Sequence, residues 1–326
     1  MPYIDKNGKP VLWEEVYYAN QYKKALIYYP VKAKTISGVI PSPTPTSSVT
    51  PTPTITPTMT PTMTMTPTPS APSFDADAAA YLADVITSGG TVNATMSAAT
   101  NTLFTDLKSN GLYSKMIAMY PYVGGTASSH SINALLNKSF DITWNGGITH
   151  GISGTTANGT NGYGVTNFHP SNYVDKTKSS FGLYITQKGI KTSNNLHGTF
   201  NNARMNFSSN ISSGNLAFCL FGDGAGQYNS PYSGHRDGNF IVIRTGATDT
   251  HLYGNGSFIA SVSGYTNLTA SNPGFYLFEY QGAPGSWFND DTLAFTFFAD
   301  DLSYAEAITL DGIINTFQTS LGRNTY

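Results

Sequence analysis

Thirty-three consecutive residues, 41–73, hold 10 Pro, 12 Thr and no charged side chain. Each Pro lacks an N–H, fixes its own φ and biases the preceding residue away from helix. Neither a helix nor an interior strand can form there. What remains is extended, polyproline-like chain at ~3.1 Å per residue, reaching about 100 Å over the tract. The 326-residue chain is thereby cut into a short leading segment (1–40), a stalk (41–73) and a long module (74–326).

The leading segment carries six Lys against Asp5, Glu14 and Glu15, with Trp13 and six Tyr. A piece of about 40 residues is too small to build a core unaided. A basic, aromatic peptide of this kind reads as a docking segment that becomes ordered on another protein. Trp13, Tyr17, Tyr18, Tyr28 and Tyr29 are its candidate anchors. The stalk would hold the module away from that mount. The opening residues MPYIDKNGKP lack the apolar stretch of a secretory signal. No apolar run reaches the ~18 residues of a membrane span. With 17 basic and 19 acidic residues, the chain lacks the basic footprint of a nucleic-acid binder. A single Cys, Cys219, excludes an intramolecular disulfide and a Cys-based zinc site.

The module opens helically over 74–120. Ser73 or Asp75 can cap a helix whose Ala78, Leu82, Val85 and Ile86 share a face, stopped at Gly89-Gly90. A second helix is predicted from about Asn93, with Met96, Ala99, Leu103 and Leu107 at spacings of three and four. Met116, Ile117, Met119 and Tyr120 read as a third short helical turn ended by Pro121. From 121 on the texture changes to short apolar runs bounded by Gly, Asn, Ser or Pro. They include FDITW (140–144), GYGVT (162–166), FGLYITQ (181–187), LAFCLFG (216–222), FIVIR (240–244), FYLFEY (275–280) and LAFTFFA (293–299). HLYGNGSFIASV (251–262) reads as one hairpin turning at Gly254-Asn255-Gly256. The fold class predicted for 121–326 is mainly β, an antiparallel sandwich or jelly roll. A closing helix (303–322) begins at an S-x-x-E capping box, Ser303 and Glu306. Its apolar stripe is Ala307, Leu310, Ile314, Phe317 and Leu321.

Catalytic patterns are scarce. A retaining glycosidase on a sandwich needs two carboxylates about 5–5.5 Å apart, two positions apart on one strand. The module has only two Glu, Glu279 and the capping Glu306. Asp290-Asp291 and Asp300-Asp301 are adjacent pairs, expected in a turn and at a helix start. Asp223 and Asp237 sit in Asp-Gly turns and offer at most a weak Ca²⁺ loop; no cofactor is expected. No two of the six His lie two or four residues apart, so no local metal motif exists. Cys219 reads as a small buried hydrophobe. The reading is therefore of a protein that is not an enzyme. Flat aromatic faces beside amides and hydroxyls suit sugar binding better. The candidates are Trp287 in a Gly/Pro-rich loop, and Tyr228, Asn229 and Tyr232 in the loop-rich stretch 221–239.

The stretches YPYVGGTASSHSINALL (120–136), TWNGGITHGISGTTANGTNGYGVT (143–166) and LDGIINTFQTSLGR (310–323) carry a resemblance. Residues 75–323 resemble the concanavalin A-like (laminin-G-like) modules of tailed-bacteriophage virion proteins. The resemblance implies a jelly roll at the end of a virion appendage, either a head fibre or capsid decoration or a tail-associated fibre. It implies a surface-exposed place on the virion, other virion proteins as partners of residues 1–40, many copies per particle, and adhesion to cell-surface or mucus glycan. It carries no catalytic residue set. The related glucanases have an acidic E-x-D-x-E-type strand that this sequence lacks. Two other readings remain: a structural virion protein that braces its neighbours, and a polysaccharide-degrading enzyme.

Overall fold

The computed structural model describes residues 74–326 except 136–138, 174, 192–194, 200–203, 211–214, 223–227, 232–233, 235, 264–273 and 282–286, and also residues 3–4 and 10–11. For 195–196, 204, 210, 222, 228–231 and 281 only the backbone is described. The chain divides into two units, Met1–Pro67 and Thr68–Tyr326. In the first, β1 (Tyr3–Ile4) pairs antiparallel with β2 (Pro10–Val11). The anchors Trp13, Tyr17, Tyr18, Tyr28 and Tyr29 and the stalk 41–73 lie outside the described residues.

The second unit begins with α1 (Ala76–Thr87) and α2 (Ala94–Ser109). Asp75 caps α1, accepting from the N–H groups of Asp77 and Ala78; Asn93 caps α2, accepting from Met96. Lys108, near the end of α2, lies 2.8 Å from Asp75 and 2.6 Å from Asp77 at the start of α1. The pairing opposes the positive helix start with acid and the negative helix end with base. β3 (Met116–Tyr120) and the short α3 (Ala127–Ser131) follow. Then come β4 (Thr143–Asn145), β5 (Ile148–Gly151), β6 (Gly154–Ala157), β7 (Tyr163–Val165), β8 (Ser179–Gln187), β9 (Asn195–Thr199) and β10 (Arg204–Asn210). The next are β11 (Asn215–Gly222), β12 (Tyr228–Pro231), β13 (Gly238–Arg244), β14 (Thr250–Gly254) and β15 (Ser257–Val262). β16 (Tyr276–Leu277), β17 (Tyr280–Gln281), β18 (Thr292–Asp300) and α4 (Tyr304–Ser320) close the chain. No described helix is long and apolar enough to cross a membrane.

The strands form two sheets. One runs β12-β11-β10-β9-β16-β7-β4, with β17 also on β9; the other runs β15-β14-β13-β8-β18-β6-β5, with β3 also on β18. Within these two sheets every pairing is antiparallel except β17 on β9. Met205, Phe207, Leu216, Phe218, Leu277, Phe181, Leu183, Phe240, Val242 and Phe298 fill the space between the sheets. The second sheet is covered again on its other side. Tyr184, Ile241, Ile243, Phe295 and Phe297 pack there against Leu82, Val85, Leu103, Phe104, Leu310, Ile314 and Phe317 of the helices. The result is three layers: helices, an inner sheet and an outer sheet. β13 and β18 are buried on both faces, which is why FIVIR and LAFTFFA read as unbroken apolar runs.

The structure shows the predicted antiparallel sandwich, with helices at its start and end. Two local readings change. Residues 116–120 are a strand, not a helical turn: β3 pairs with β18 from Thr296↔Tyr120 to Ala299↔Met116. Five residues give too little helical hydrogen bonding to compete with a ladder on a buried central strand. Ile86 is 59% exposed; Tyr81 takes its place on the buried face of α1. The 251–262 hairpin turns on Asn255 (φ 53) and Gly256 (φ 71), the positive φ pair that favours Asn-Gly.

The capping box of α4 is complete. Ser303 accepts from the N–H of Glu306, and Glu306 accepts from that of Ser303 at 2.8 Å. Ser303→Ala is expected to cost about 1 kcal/mol. Thermal denaturation would record it as a fall of about 3 °C in Tm.

Candidate functional site

On β10, Met205 and Phe207 face the inter-sheet core, so the residues between and beyond them face outward. Register carries one outward row across the outer sheet: Thr143, Val165, Tyr276, Gly198, Asn206, Cys219. Tyr163, two residues before Val165 on β7, shares this face, and its ring stacks on Tyr276 at 5.7 Å and 17°. Tyr280 comes into register with Gly198 from β17. Trp287 lies against it, ring centroids 6.1 Å apart. Tyr276 and Tyr280 thus meet Gly198 in register, and Tyr163 and Trp287 pack on those two rings.

Gly198 has no alternative at this place. Its φ is +147, and a Cβ would stand 2.2 Å from the Met205 carbonyl oxygen and 2.7 Å from Asn206 Cβ. Gly198 is itself buried, and so is Asn206 beside it; among the described residues neither atom of its side-chain amide has a hydrogen-bond partner.

Behind Gly198 lies a buried polar cluster. His197 Nδ1 accepts from the Phe278 N–H at 3.0 Å, and its other ring nitrogen, Nε2, faces Asn289. That atom is 2.8 Å from the Asn289 amide and 3.6 Å from Asp291 Oδ2. Asp291 also accepts from the Gly189 N–H (2.6 Å) and Ser209 Oγ (2.8 Å). Burial pushes the Asp291 carboxyl up, but the bonds from His197, Gly189 and Asn289 outweigh it and leave it below the ordinary carboxylate value. Asp290 accepts from the N–H groups of Ile190 and Lys191. The pair read as a plain turn thus ties residues 189–191 to the strand that starts at Thr292. Asp291 and His197 hold β9, and with it Gly198, against β10 and β18.

A pair of imidazoles sits near the β4 and β5 edges of the sheets. His130 Nδ1 and His150 Nδ1 are 3.2 Å apart, and His130 Nε2 accepts from the Gly125 N–H at 3.2 Å. His130 therefore carries its proton on Nδ1 and donates it to His150. That bond keeps both rings neutral. Burial, with His150 and Arg323 nearby, pushes His130 down to about 3; burial pushes His150 down to about 4. Trp144 lies edge-on to His150 at 5.0 Å and donates to the Ala127 carbonyl at 3.1 Å. It is half-buried against the core. Among the described residues no three His, Cys, Asp or Glu gather as a metal site.

Of the sequence candidates, Trp287 stands at the face, half-buried against Tyr280. Tyr228 and Asn229 lie in β12, where only the backbone is described, and Tyr232 lies outside the described residues. Asp223 is also outside them. Cys219 is buried as expected, but in the outward row beside Asn206. Sequence reading missed Tyr163, Tyr276, Tyr280, Gly198 and Asn206. The first two sat in view within GYGVT and FYLFEY, yet only the register joins them.

No family model and no curated protein matches the chain. Among solved structures, Trypanosoma rangeli sialidase in complex with sialic acid is similar over 61% of this chain, at 14% identity and TM-score 0.46; the chain spans only 33% of that protein. Domain 4 of the extracellular arabinanase AbnA from Geobacillus stearothermophilus, in complex with arabinotriose, is similar over 60% of this chain and 98% of the domain, at 15% identity and TM-score 0.42.

The histidine pair sets a pH dependence. An imidazole held below its unfolded value stays neutral in the fold and takes a proton on unfolding. Its contribution is intact above pH ~6.5 and is lost as pH falls toward the folded value. For His130 that window runs from ~6.5 to about 3, at about 1.4 kcal/mol per pH unit. Asp291, held low, adds a loss only below about pH 4. Urea titrations from pH 7 to 4 are expected to show stability falling with pH, and His130→Asn should flatten that slope.

Proposed function

We propose that residues 74–326 form a saccharide-binding module and that the outward face around Gly198 is its site. The observation that carries this reading is the half-buried Tyr163–Tyr276 stack on the outward face, together with Trp287, half-buried against Tyr280 of β17. A sugar ring offers an apolar C–H face and a rim of hydroxyls. Aromatic rings meet the first. The tyrosine hydroxyls and the indole N–H meet the second.

The proposal extends to the whole chain. Residues 1–40 dock on other virion proteins of a tailed bacteriophage, residues 41–73 form the stalk, and the module is displayed on the particle surface, as a head fibre or decoration or as a tail-associated fibre. It acts by adhesion to host-surface glycan, without catalysis. A single shallow site is weak, and many copies on one particle multiply it through effective concentration. The concanavalin A-like sequence resemblance and the sandwich with helices at its two ends support this.

Two measurements test it. The full chain, multimerised, is applied to a glycan array and to bacterial cells; binding to neither would overturn the adhesion reading. Tyr276→Ala is expected to weaken binding about tenfold while the far-UV circular dichroism is unchanged. Trp287→Ala is expected to weaken binding by a similar factor. A Tyr276→Ala protein that binds normally would take the stacked pair out of the site.

A further inference from the structure

A second group of aromatics lies away from that face, at the β15 edge of the inner sheet. Tyr304 and Ile308, four residues apart on α4, are 44% and 49% exposed, and Phe258 on β15 is 55% exposed. His251 and Tyr253 join them: His251 lies edge-on to Tyr304 at 4.9 Å, and Tyr253 stands 5.8 Å from Phe258. Exposed aromatic rings usually turn freely, but Tyr304 does not. Its hydroxyl is held by Thr245 Oγ1 at 3.0 Å and by His251 Nε2 at 2.8 Å. The ring is a fixed platform facing water.

Tyr304 and Thr245 also line a cavity of about 450 Å³, with Lys178, Asp301 and the buried Arg244. Lys178 and Asp301 stand 3.6 Å apart with more than half of each side chain exposed. Their pairing is loose, so both can turn to a ligand hydroxyl at little cost. The loop beneath them is firmly held. Asp301 has φ +53, a left-handed conformation that a short polar side chain tolerates. Lys115 Nζ donates to the Asp301 carbonyl at 2.6 Å, and Lys115 pairs with Glu306 at 2.6 Å. A rigid aromatic platform, a rim of adaptable donors and acceptors and a preformed cavity make up a binding site.

We propose that this cleft is a second saccharide site, in which a sugar ring stacks on Tyr304 and its hydroxyls bond Lys178, Asp301 and Thr245. It rests on the reading of the module as a saccharide binder, but its residues are separate from the Gly198 face. Two sites on one module make it bivalent, so a polymeric glycan held at one raises its local concentration at the other.

The test is a titration of the ¹⁵N-labelled full chain with cello-, manno-, chito- and galacturono-oligosaccharides, read from backbone amide shifts. Two sets of shifts are expected, one around Thr245, His251 and Tyr304 and one around Gly198 and Trp287. Tyr304→Ala should weaken the first set about tenfold and leave the second. Trp287→Ala should do the reverse. Tyr304→Phe keeps the platform but frees it, and should weaken the first set by a smaller factor; it also serves if Tyr304→Ala does not fold. Shifts only around Gly198 and Trp287 would overturn the second site and leave the proposed function standing. Shifts only around Tyr304 would support the cleft and remove the Gly198 face. No shifts with any member of the set would overturn both. A sedimentation coefficient that falls in Tyr304→Ala would assign the patch to a second copy of the chain and overturn the saccharide reading of it.

Discussion

Burial of the inner sheet on both faces is the constraint on which the rest depends. Phe240 and Val242 point into the sandwich while Ile241 and Ile243 point to the helices. β18 divides its side chains in the same way. A strand in that position has no solvent face, so the helices are required: without α1, α2 and α4 an apolar sheet would be left bare. α4 serves this directly by laying Leu310, Ile314 and Phe317 on the sheet. The last turn is then fixed by Arg323, whose guanidinium donates to Gln318 and to the carbonyls of Pro121 and Tyr122. On the outer sheet the outward row is buried at Gly198, Asn206 and Cys219 and reaches the surface at Tyr276, Val165 and Thr143.

Much of this was legible because it is local. The caps at Asp75, Asn93 and Ser303 are written within three or four residues, and so is the Asn255-Gly256 turn. Strands buried on both sides announce themselves by composition. β3 was misread because MIAMY carries no period that separates a strand from a helical turn, and its pairing partner lies about 180 residues away. β5 and β6 have few apolar side chains and pass as loop; their ladder partners place them. Asp290 and Asp291 look like any turn pair. Their bonds to residues 189–191 cross about a hundred positions, and no spacing rule reaches that far.

The candidate site was less legible than the fold for the same reason. Trp287 stood out as a type of residue in a type of loop. Gly198 and Asn206 did not, because their meaning is relational. The glycine matters because Met205 and Asn206 crowd it, and that crowding is visible only once β9 and β10 are in register. Tyr163 and Tyr276 are more than a hundred residues apart, yet they stack because β7 and β16 are neighbours.

Low charge also gains a structural account. Many of the described acids are engaged in holding the chain. Asp75 and Asp77 take Lys108, Glu306 takes Lys115, Asp290 and Asp291 fix residues 189–191, and Asp311 accepts from Asn239 and Tyr326. Burial pushes the Asp311 carboxyl up, against those hydrogen bonds. Among the described residues two buried guanidinium groups rest on carbonyl oxygens: Arg244 on Leu220 and Phe221, Arg323 on Pro121 and Tyr122. Carbonyls hold a cation without introducing a second buried charge, whose desolvation would have to be offset in turn. With those carboxylates occupied, the half-buried side chains of the outer face at Tyr163, Tyr276 and Trp287 are aromatic and uncharged. Such a face discriminates by shape and not by net charge, which is the property the proposed saccharide site needs.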